Sequence, residues 1–453
     1  MSRVLISAAH KSSGKTTISI GLCAAIVARN IKVQAFKKGP DYIDPMWLGR
    51  ASQSSCLNLD FYTMQQDEIV ANIVQVMNPA DIAIIEGNKG LYDGLDPEGS
   101  DSNAALAKLT HTPVILVIDS KGITRGIAPL VLGYQSFDPD IEIAGVILNR
   151  VGGKRHEEKL RAVMTRYTDI PVLGAVYNDP ELEISERHLG LVPSNEAHEV
   201  IAKIHYIAEK ISTQVDLDAI IEIAQKASPL PAPCWKSPPA FKLSPPLKIG
   251  VIQDAAFGFY YPDDLETFRQ AGAEIIAINA LTDNKLPEID ALFIGGGFPE
   301  VYMEALASNQ SIRSAVYQAL DAGMPCYAEC GGLIYLTRSL EWQGKKADMV
   351  GIIPADTIMN NIPQGRGYIQ LQATQQHPWG IQDNNIINAH EFHYSSLKNI
   401  DETLDYAYQI KRGHGINGRQ DGIIYKNTLA CYAHQRNTSN NPWIEKFLRF
   451  VVG

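Results

Sequence analysis

Two stretches of this 453-residue chain combine residue types and spacing that suit catalysis. In the first, Ala9-His10-Lys11-Ser12-Ser13-Gly14-Lys15-Thr16-Thr17, an apolar strand runs into a loop that opens a helix. Backbone N–H groups and the helix N-terminus there would face phosphates, Lys15 would neutralise the β- and γ-phosphates, and the Thr16 hydroxyl would ligate Mg²⁺. Gly14, Lys15, Thr16 and Thr17 are therefore the expected ATP-binding residues. Ala9 replaces the first glycine of the usual spacing, so the turn must tolerate a methyl group, and His10 stands where partition-type ATPases carry an extra lysine.

The second stretch, Pro325-Cys326-Tyr327-Ala328-Glu329-Cys330-Gly331-Gly332, puts the Cys330 thiol on a sharp strand-to-helix turn. A thiol needs a base to become a thiolate, and His434, at the end of a late strand, is the candidate. Leu292-Phe293-Ile294-Gly295-Gly296-Gly297 ends a strand in glycines whose N–H groups can approach an oxyanion; Gly296, Gly297 and Gly331 are the expected oxyanion and glutamine contacts. Cys326 and Cys431 read as small buried hydrophobes. Such a thiol releases ammonia from an amide, and the nucleotide loop can activate a carboxylate. Together they suggest an ATP-driven synthetase that makes a carboxamide.

Two acidic clusters follow strands near the nucleotide loop, Gly39-Pro40-Asp41-Tyr42-Ile43-Asp44-Pro45 and Glu86-Gly87-Asn88-Lys89-Gly90-Leu91-Tyr92-Asp93-Gly94. Open parallel sheets bind ligands at the carboxyl ends of their strands, where carboxylates can hold Mg²⁺ through water and position a phosphoryl acceptor. Thr16, Asp44 and Glu86 are the expected metal contacts. His390-Glu391-Phe392-His393-Tyr394-Ser395 is one residue short of a helical zinc spacing and lies in a β-rich stretch, so His390 and Phe392 would share one face and Glu391 and His393 the other.

The elements that must position these residues repeat a simple pattern. Apolar runs at Val4 to Ala8, Lys32 to Phe36, Asp81 to Glu86, Val114 to Asp119, Ala144 to Asn149 and Val172 to Val176 alternate with helical stretches, which predicts a helix-covered parallel sheet. Seven prolines between Ser228 and Pro246 predict an extended linker. Strands restart at Lys248 to Ile252, Glu274 to Ile278, Ala291 to Ile294 and Cys326 to Glu329, and from about Met349 they become closely spaced: Tyr368 to Gln372, Ile386 to His393, Ala407 to Ile410 and Gly422 to Tyr425. The expected domains are 1–227, a linker at 228–246, and 247–453, all of α/β class.

An apolar fraction of 45% and a charged fraction of 20% are those of an ordinary globular protein. A net charge of -10 argues against nucleic acid or an anionic membrane as partner. Six cysteines without a CxxC pair, no signal peptide and no long apolar run predict a cytoplasmic protein with reduced thiols. A homodimer is compatible with the sequence, which fixes no oligomeric state.

These residues resemble the cobyrinate a,c-diamide synthases across nearly the whole length. The resemblance rests on Ser13 to Thr17, Gly39 to Pro45, Glu86-Gly87 with Gly90 to Gly94, Gly145 to Arg150, Glu186 to Leu191, Asp254 to Phe257, Tyr260 to Pro262, Gly296 to Glu300, Ala328 to Gly332 and His390 to Ser395. It implies a dethiobiotin-synthetase-like N-terminal domain and a class I glutamine amidotransferase C-terminal domain. In the family ATP phosphorylates the c and then the a acetate of cobyrinate, and ammonia from glutamine displaces the phosphate. Carried over, Cys330 forms the glutamyl thioester, His434 raises its nucleophilicity, and Asp41, Tyr42, Asp44, Glu86 and Asp93 handle substrate and metal.

Departures at Asn58 to Tyr62, Asn88-Lys89, Ser120 to Gly126 and Gln435-Arg436 bear on substrate. They resemble a sister branch thought to amidate sirohaem; another branch acts on nickel-sirohydrochlorin. Lys37, Lys38, Lys89 and Arg125 are candidates to pair with unreacted carboxylates of such a tetrapyrrole. A reading from another class is a non-catalytic partition-type nucleotide switch with a vestigial amidotransferase domain, and a third is a stand-alone glutaminase.

Overall fold

The computed structural model describes residues 1–184, 186–187, 190–195, 199–234, 241–380 and 385–453. The chain divides into Met1–Lys236 and Ser237–Gly453, a boundary inside the proline-rich stretch. The ends of that stretch are tied down within their own units: His111 Nδ1 lies 3.0 Å from the Pro229 carbonyl, and the Leu243 N–H donates to Ala271. Trp235, Pro238 and Pro239 lie outside the described residues.

In the first unit β1 (Ser2–Ala8), α1 (Lys15–Val27), β2 (Val33–Lys38), α2 (Ile43–Ser52), β3 (Leu57–Leu59), α3 (Gln66–Val76), β4 (Ile82–Glu86), α4 (Asn103–Leu109), β5 (Val114–Asp119), α5 (Ile127–Phe137), β6 (Ile143–Val151), α6 (Lys154–Tyr167) and β7 (Val172–Tyr177) build a sheet of order β3-β2-β4-β1-β5-β6-β7. Every neighbouring pair is parallel. Helices cover both faces, so the strands are almost unbroken apolar runs; Val4 to Ile6 and Val114 to Val117 are fully buried. Further on come a hairpin of β8 (Glu186–Arg187) and β9 (Gly190–Leu191), then α7 (Val200–Gln214) and α8 (Leu217–Gln225). Of the Glu186 to Leu191 segment, His188 and Leu189 lie outside the described residues. A methyl group at Gly21 of α1 would sit 2.3 Å from Ile211 of α7, so the glycine lets these helices pack closely.

The predicted strands are all present, some extended by one to three residues at an end, while β2 and β4 begin one residue later than expected, at Val33 and Ile82. The three-residue β3 at the sheet edge went unseen because Leu57-Asn58-Leu59 is too short to show a period. Because β1 lies between β4 and β5 while the chain leaves it toward β2, the sheet reverses winding at β1. The loops after β1, β2 and β4 meet there.

In the second unit β10 (Lys248–Ile252), β11 (Phe257–Phe259), α9 (Pro262–Gln270), β12 (Glu274–Ile278), β13 (Ala291–Ile294), β14 (Gly296–Gly297), α10 (Met303–Ser308), α11 (Gln310–Asp321), β15 (Cys326–Glu329) and α12 (Gly331–Leu336) come first. They are followed by β16 (Thr337–Trp342), β17 (Lys345–Asp348), β18 (Ile353–Met359), β19 (Gly365–Ala373), β20 (Ile386–His393), β21 (Ser395–Lys398), β22 (Asp405–Arg412), β23 (Gln420–Tyr425), β24 (Thr428–Cys431) and α13 (Trp443–Val452). The main sheet has the order β12-β10-β13-β15-β24-β23-β22-β19-β20. It is parallel from β12 to β24 and antiparallel beyond. A second sheet, β17-β16-β18-β21, begins earlier than the strand texture suggested, because Thr337 to Trp342 alternates with polar residues. The carboxyl ends of β13, β15 and β24 carry the glycine loop, Cys330 and His434.

Candidate active site

In the nucleotide loop the left-handed backbone positions fall on Ser12 (φ 65°) and Gly14 (φ 88°), not on Ala9, whose methyl therefore causes no strain. The Ala9 carbonyl accepts from the Tyr134 hydroxyl. Gly14 is required on a second ground: a Cβ there would lie 2.1 Å from Asn149 Nδ2, which donates to the Ser13 carbonyl at 2.8 Å. The loop thus rests on the end of β6, and Lys15 opens α1 with Thr16 and Thr17 behind it.

Around Lys15 the structure collects most of the expected side chains. The Thr16 hydroxyl donates to Glu86 Oε1 at 2.7 Å and lies 3.3 Å from Asp44 Oδ2. Lys37 Nζ bridges the same two carboxylates, 2.5 Å from Asp44 and 2.9 Å from Glu86. Burial alone would strip the proton from Lys37, but the Asp44 and Glu86 charges outweigh it and hold its pKa well above that of a free lysine. Lys15 behaves oppositely: burial first, then the Lys37 charge, lower it to about 8 against the pull of Glu86, Asp44 and Asp93. Asp41 accepts the Ile43 and Asp44 N–H groups and so caps α2, while Asp93 accepts the Gly90 N–H at 2.9 Å. Tyr42 is buried at the entry to α2.

Thr16, Asp44 and Glu86 present hard oxygen donors, and fully buried Glu86 Oε2 has no hydrogen-bond partner among the described residues. That set could hold a hard divalent cation. Among the described residues no cluster of three or more His, Cys, Asp or Glu side chains forms a metal cage, so a cation here would keep water or phosphate oxygens as further ligands.

The assignment of Lys37 and Lys38 to unreacted substrate carboxylates is corrected. Both are buried in β2; Lys37 serves Asp44 and Glu86, and Lys38 serves Asp101 at 3.6 Å and Asn88 at 3.2 Å. Lys89 remains exposed, on a left-handed backbone (φ 40°) in the loop after β4.

In the second unit Cys330 stands between β15 and α12 with φ 48° and ψ -99°, a conformation that costs a non-glycine residue about 1–3 kcal/mol. Its N–H donates to the Cys431 carbonyl at 2.7 Å, which anchors the turn to β24. The glycines are dictated by crowding. A methyl at Gly331 would lie 2.9 Å from the Gly297 nitrogen, one at Gly332 2.4 Å from the Ile294 oxygen, and one at Gly296 2.6 Å from His434 Cε1. The expected oxyanion glycines, the thiol turn and His434 therefore do converge.

His434 is buried against Glu329, with Nδ1 3.5 Å from Glu329 Oε2. Burial opposes a positive imidazole, but Cys330 and then Glu329 outweigh it and raise its pKa to about 10. The His390 ring stacks on His434, with centroids 4.9 Å apart and planes 12° apart. A thiol beside an imidazolium can exist as thiolate and attack a carboxamide. At Gly297 a methyl would meet the Ala256 oxygen at 1.9 Å, so Gly297→Ala is expected to lower stability by about 1–3 kcal/mol and to cut glutamine hydrolysis. Unchanged thermal melting and glutaminase rate would contradict the close approach.

Residues 5–192 match the CobQ/CobB/MinD/ParA nucleotide binding domain, and residues 248–442 match the CobB/CobQ-like glutamine amidotransferase domain. Proteins named cobyrinate a,c-diamide synthase are similar over almost the whole chain. That of Magnetococcus marinus is 44% identical, covering 99% of this chain and 97% of its own. That of Methanosarcina acetivorans is 42% identical, covering 95% and 92%. The chain belongs to the cobyrinate a,c-diamide synthase family. It is accordingly a glutamine-hydrolysing ligase of carbon–nitrogen bonds. Among solved structures, a glutamine amidotransferase of Thermotoga maritima covers 42% of this chain and 75% of its own at 11% identity, with a TM-score of 0.30. No helix among the described residues is long and apolar enough to cross a membrane.

Within this synthase-family chain, sequence reasoning missed Lys37 as an internal counter-ion and Glu329 as a neighbour of His434, while His390, a basic candidate in the sequence, does lie against His434. A signal for Lys37 existed: a lysine within a wholly buried strand must be paired. Glu329 and His390 meet His434 only through strand pairing, which no local motif displays.

Proposed function

We propose that this protein uses ATP and glutamine to amidate the a and c acetate groups of a tetrapyrrole, with cobyrinate as substrate. Residues 1–227 carry the synthetase, 247–453 the glutaminase, and 228–246 join them. Support comes from the two family matches and from relatives named for this reaction. The observation that carries the reading is the convergence of Lys15, Thr16, Asp44 and Glu86 at the reversal point of one sheet, in a chain that also holds the Cys330 elbow.

At the nucleotide site Gly14, Lys15, Thr16 and Thr17 cradle ATP; Thr16, Asp44 and Glu86 would hold Mg²⁺, which would supply charge neutralisation on the phosphates. Asp41, Tyr42 and Asp93 frame the substrate side. A substrate carboxylate oxygen attacks the γ-phosphorus, ADP leaves, and an acyl phosphate results. Ammonia adds to its carbonyl carbon and expels phosphate, a far better leaving group than oxide. At the thiol site Cys330 gives its proton to His434, its sulfur attacks the glutamine carboxamide carbon, and the Gly296, Gly297 and Gly331 region faces the oxyanion. The proton passes to the departing nitrogen, ammonia leaves, and water hydrolyses the thioester to glutamate.

The test is mass change on a panel of cobyrinate, sirohaem and nickel-sirohydrochlorin with ATP, Mg²⁺ and glutamine. Each OH-to-NH₂ exchange changes the mass by about one dalton, so cobyrinate is expected to shift by about two. Conversion of sirohaem alone would move the substrate to that branch, and no conversion of any by folded protein would refute the amidation itself.

A further inference from the structure

Glu329 stands immediately before the thiol in the chain, yet its carboxylate reaches a residue more than a hundred positions away. β15 and β24 are parallel neighbours, with Glu329 opposite Cys431. Side chains alternate along β15, so Tyr327 and Glu329 share a face, and the Tyr327 hydroxyl donates to Glu329 Oε1 at 2.7 Å. The Gln435 N–H donates to the same oxygen at 2.8 Å, and Gln435 Nε2 donates to the Tyr327 hydroxyl at 2.9 Å. With Oε1 fixed this way, Oε2 is aimed at His434 Nδ1, 3.5 Å off, and both side chains are 3% exposed.

The other groups around His434 limit what it can use. His390 from β20 stacks on its ring and exchanges backbone hydrogen bonds with it; His390 Nδ1 lies 3.4 Å from the Tyr261 hydroxyl. Arg436 gives its guanidinium to Asp263 at 2.7 Å and lies over the Tyr261 ring. Cys330 faces the imidazole from the turn.

We infer that Glu329 is the positioning residue of His434, orienting Nδ1–H toward its carboxylate and leaving Nε2 to take the thiol proton. This rests on the glutaminase role proposed for Cys330. A buried carboxylate against Nδ1 selects one tautomer and favours the imidazolium that forms as the thiol gives up its proton. Glu329 touches neither glutamine nor the sulfur; it acts through His434.

Glu329→Gln keeps the shape and an oxygen for Tyr327 and Gln435 but removes the charge at His434. In the full chain this variant is expected to lose about 10²-fold in kcat for glutamine hydrolysis, with KM within about threefold of wild type. Without the carboxylate the imidazolium gives up its proton more readily, so the alkaline limb of the rate profile should move to lower pH by about one unit. Glu329→Asp, which retains the charge, should keep the wild-type limb at a reduced rate. A Glu329→Gln enzyme with wild-type kcat and limb would overturn the inference. So would a reduced rate with an unmoved limb, since a merely structural role predicts that. Labelling of wild-type Cys330 by a diazoketone analogue of glutamine separates the two levels: labelled wild type with an unaffected Glu329→Gln refutes the inference alone, whereas unlabelled wild type refutes the glutaminase reading beneath it.

Discussion

Cys330→Ala is expected to reduce glutamine-driven amidation by about 10⁴-fold or more while amidation driven by high ammonia continues. The thiol is the group placed at the strained turn, packed against glycines with no room for a side chain and close to the buried His434–Glu329 pair. Removing the sulfur removes the nucleophile but not the turn, since alanine needs no more room. Free ammonia then bypasses the missing step, because the proposed acyl phosphate would form at the nucleotide site, from residues of the other unit. The measurement is amide formation with each nitrogen source. Glutamine-driven turnover that survives in this variant would contradict the assignment of the thiol.

Lys15→Ala is expected to cost about 10³-fold or more with both nitrogen sources, because neither amide forms without carboxylate activation. Lys15 opens α1 at the loop, is almost fully buried, and has its pKa lowered to about 8 by burial and by Lys37. A lysine so poorly compensated in the free protein gains most when phosphate arrives. Lys37 cannot replace it, being held between Asp44 and Glu86. Thermal stability should change little, since the variant removes a buried charge along with its side chain. The check is amidation rate together with ATP affinity by calorimetry; ammonia-driven amidation at the wild-type rate would contradict the nucleotide role.

Much of the architecture was legible because parallel strands buried on both faces announce themselves as apolar runs. β5, β10, β12, β13, β15 and β20 lie where the sequence placed them. β16 and β17 were not, since Thr337-Arg338-Ser339-Leu340-Glu341-Trp342 carries polar residues at alternate positions and follows α12 without a break. At the sites, residues that act through the backbone or through a motif were legible: Gly14, Lys15 and Cys330 announce their geometry locally. Residues that act through a neighbour were not. Lys37 read as a partner for substrate carboxylates because its actual partners Asp44 and Glu86 come from a helix and another strand. Glu329 stands within the thiol motif, yet its partner His434 is brought to it only by the pairing of β15 with β24.

The central claim is that one chain couples nucleotide-driven activation of a carboxylate to ammonia supply. Its most direct test uses cobyrinate labelled with oxygen-18 in its acetate carboxylates, incubated with ATP, Mg²⁺ and glutamine, followed by mass analysis of the phosphate released. An acyl phosphate requires one labelled oxygen to appear in inorganic phosphate for each amide formed, with ADP as the other product. Label in AMP, or amide formation with unlabelled phosphate, would contradict the acyl phosphate and with it the roles given to Lys15, Thr16, Asp44 and Glu86.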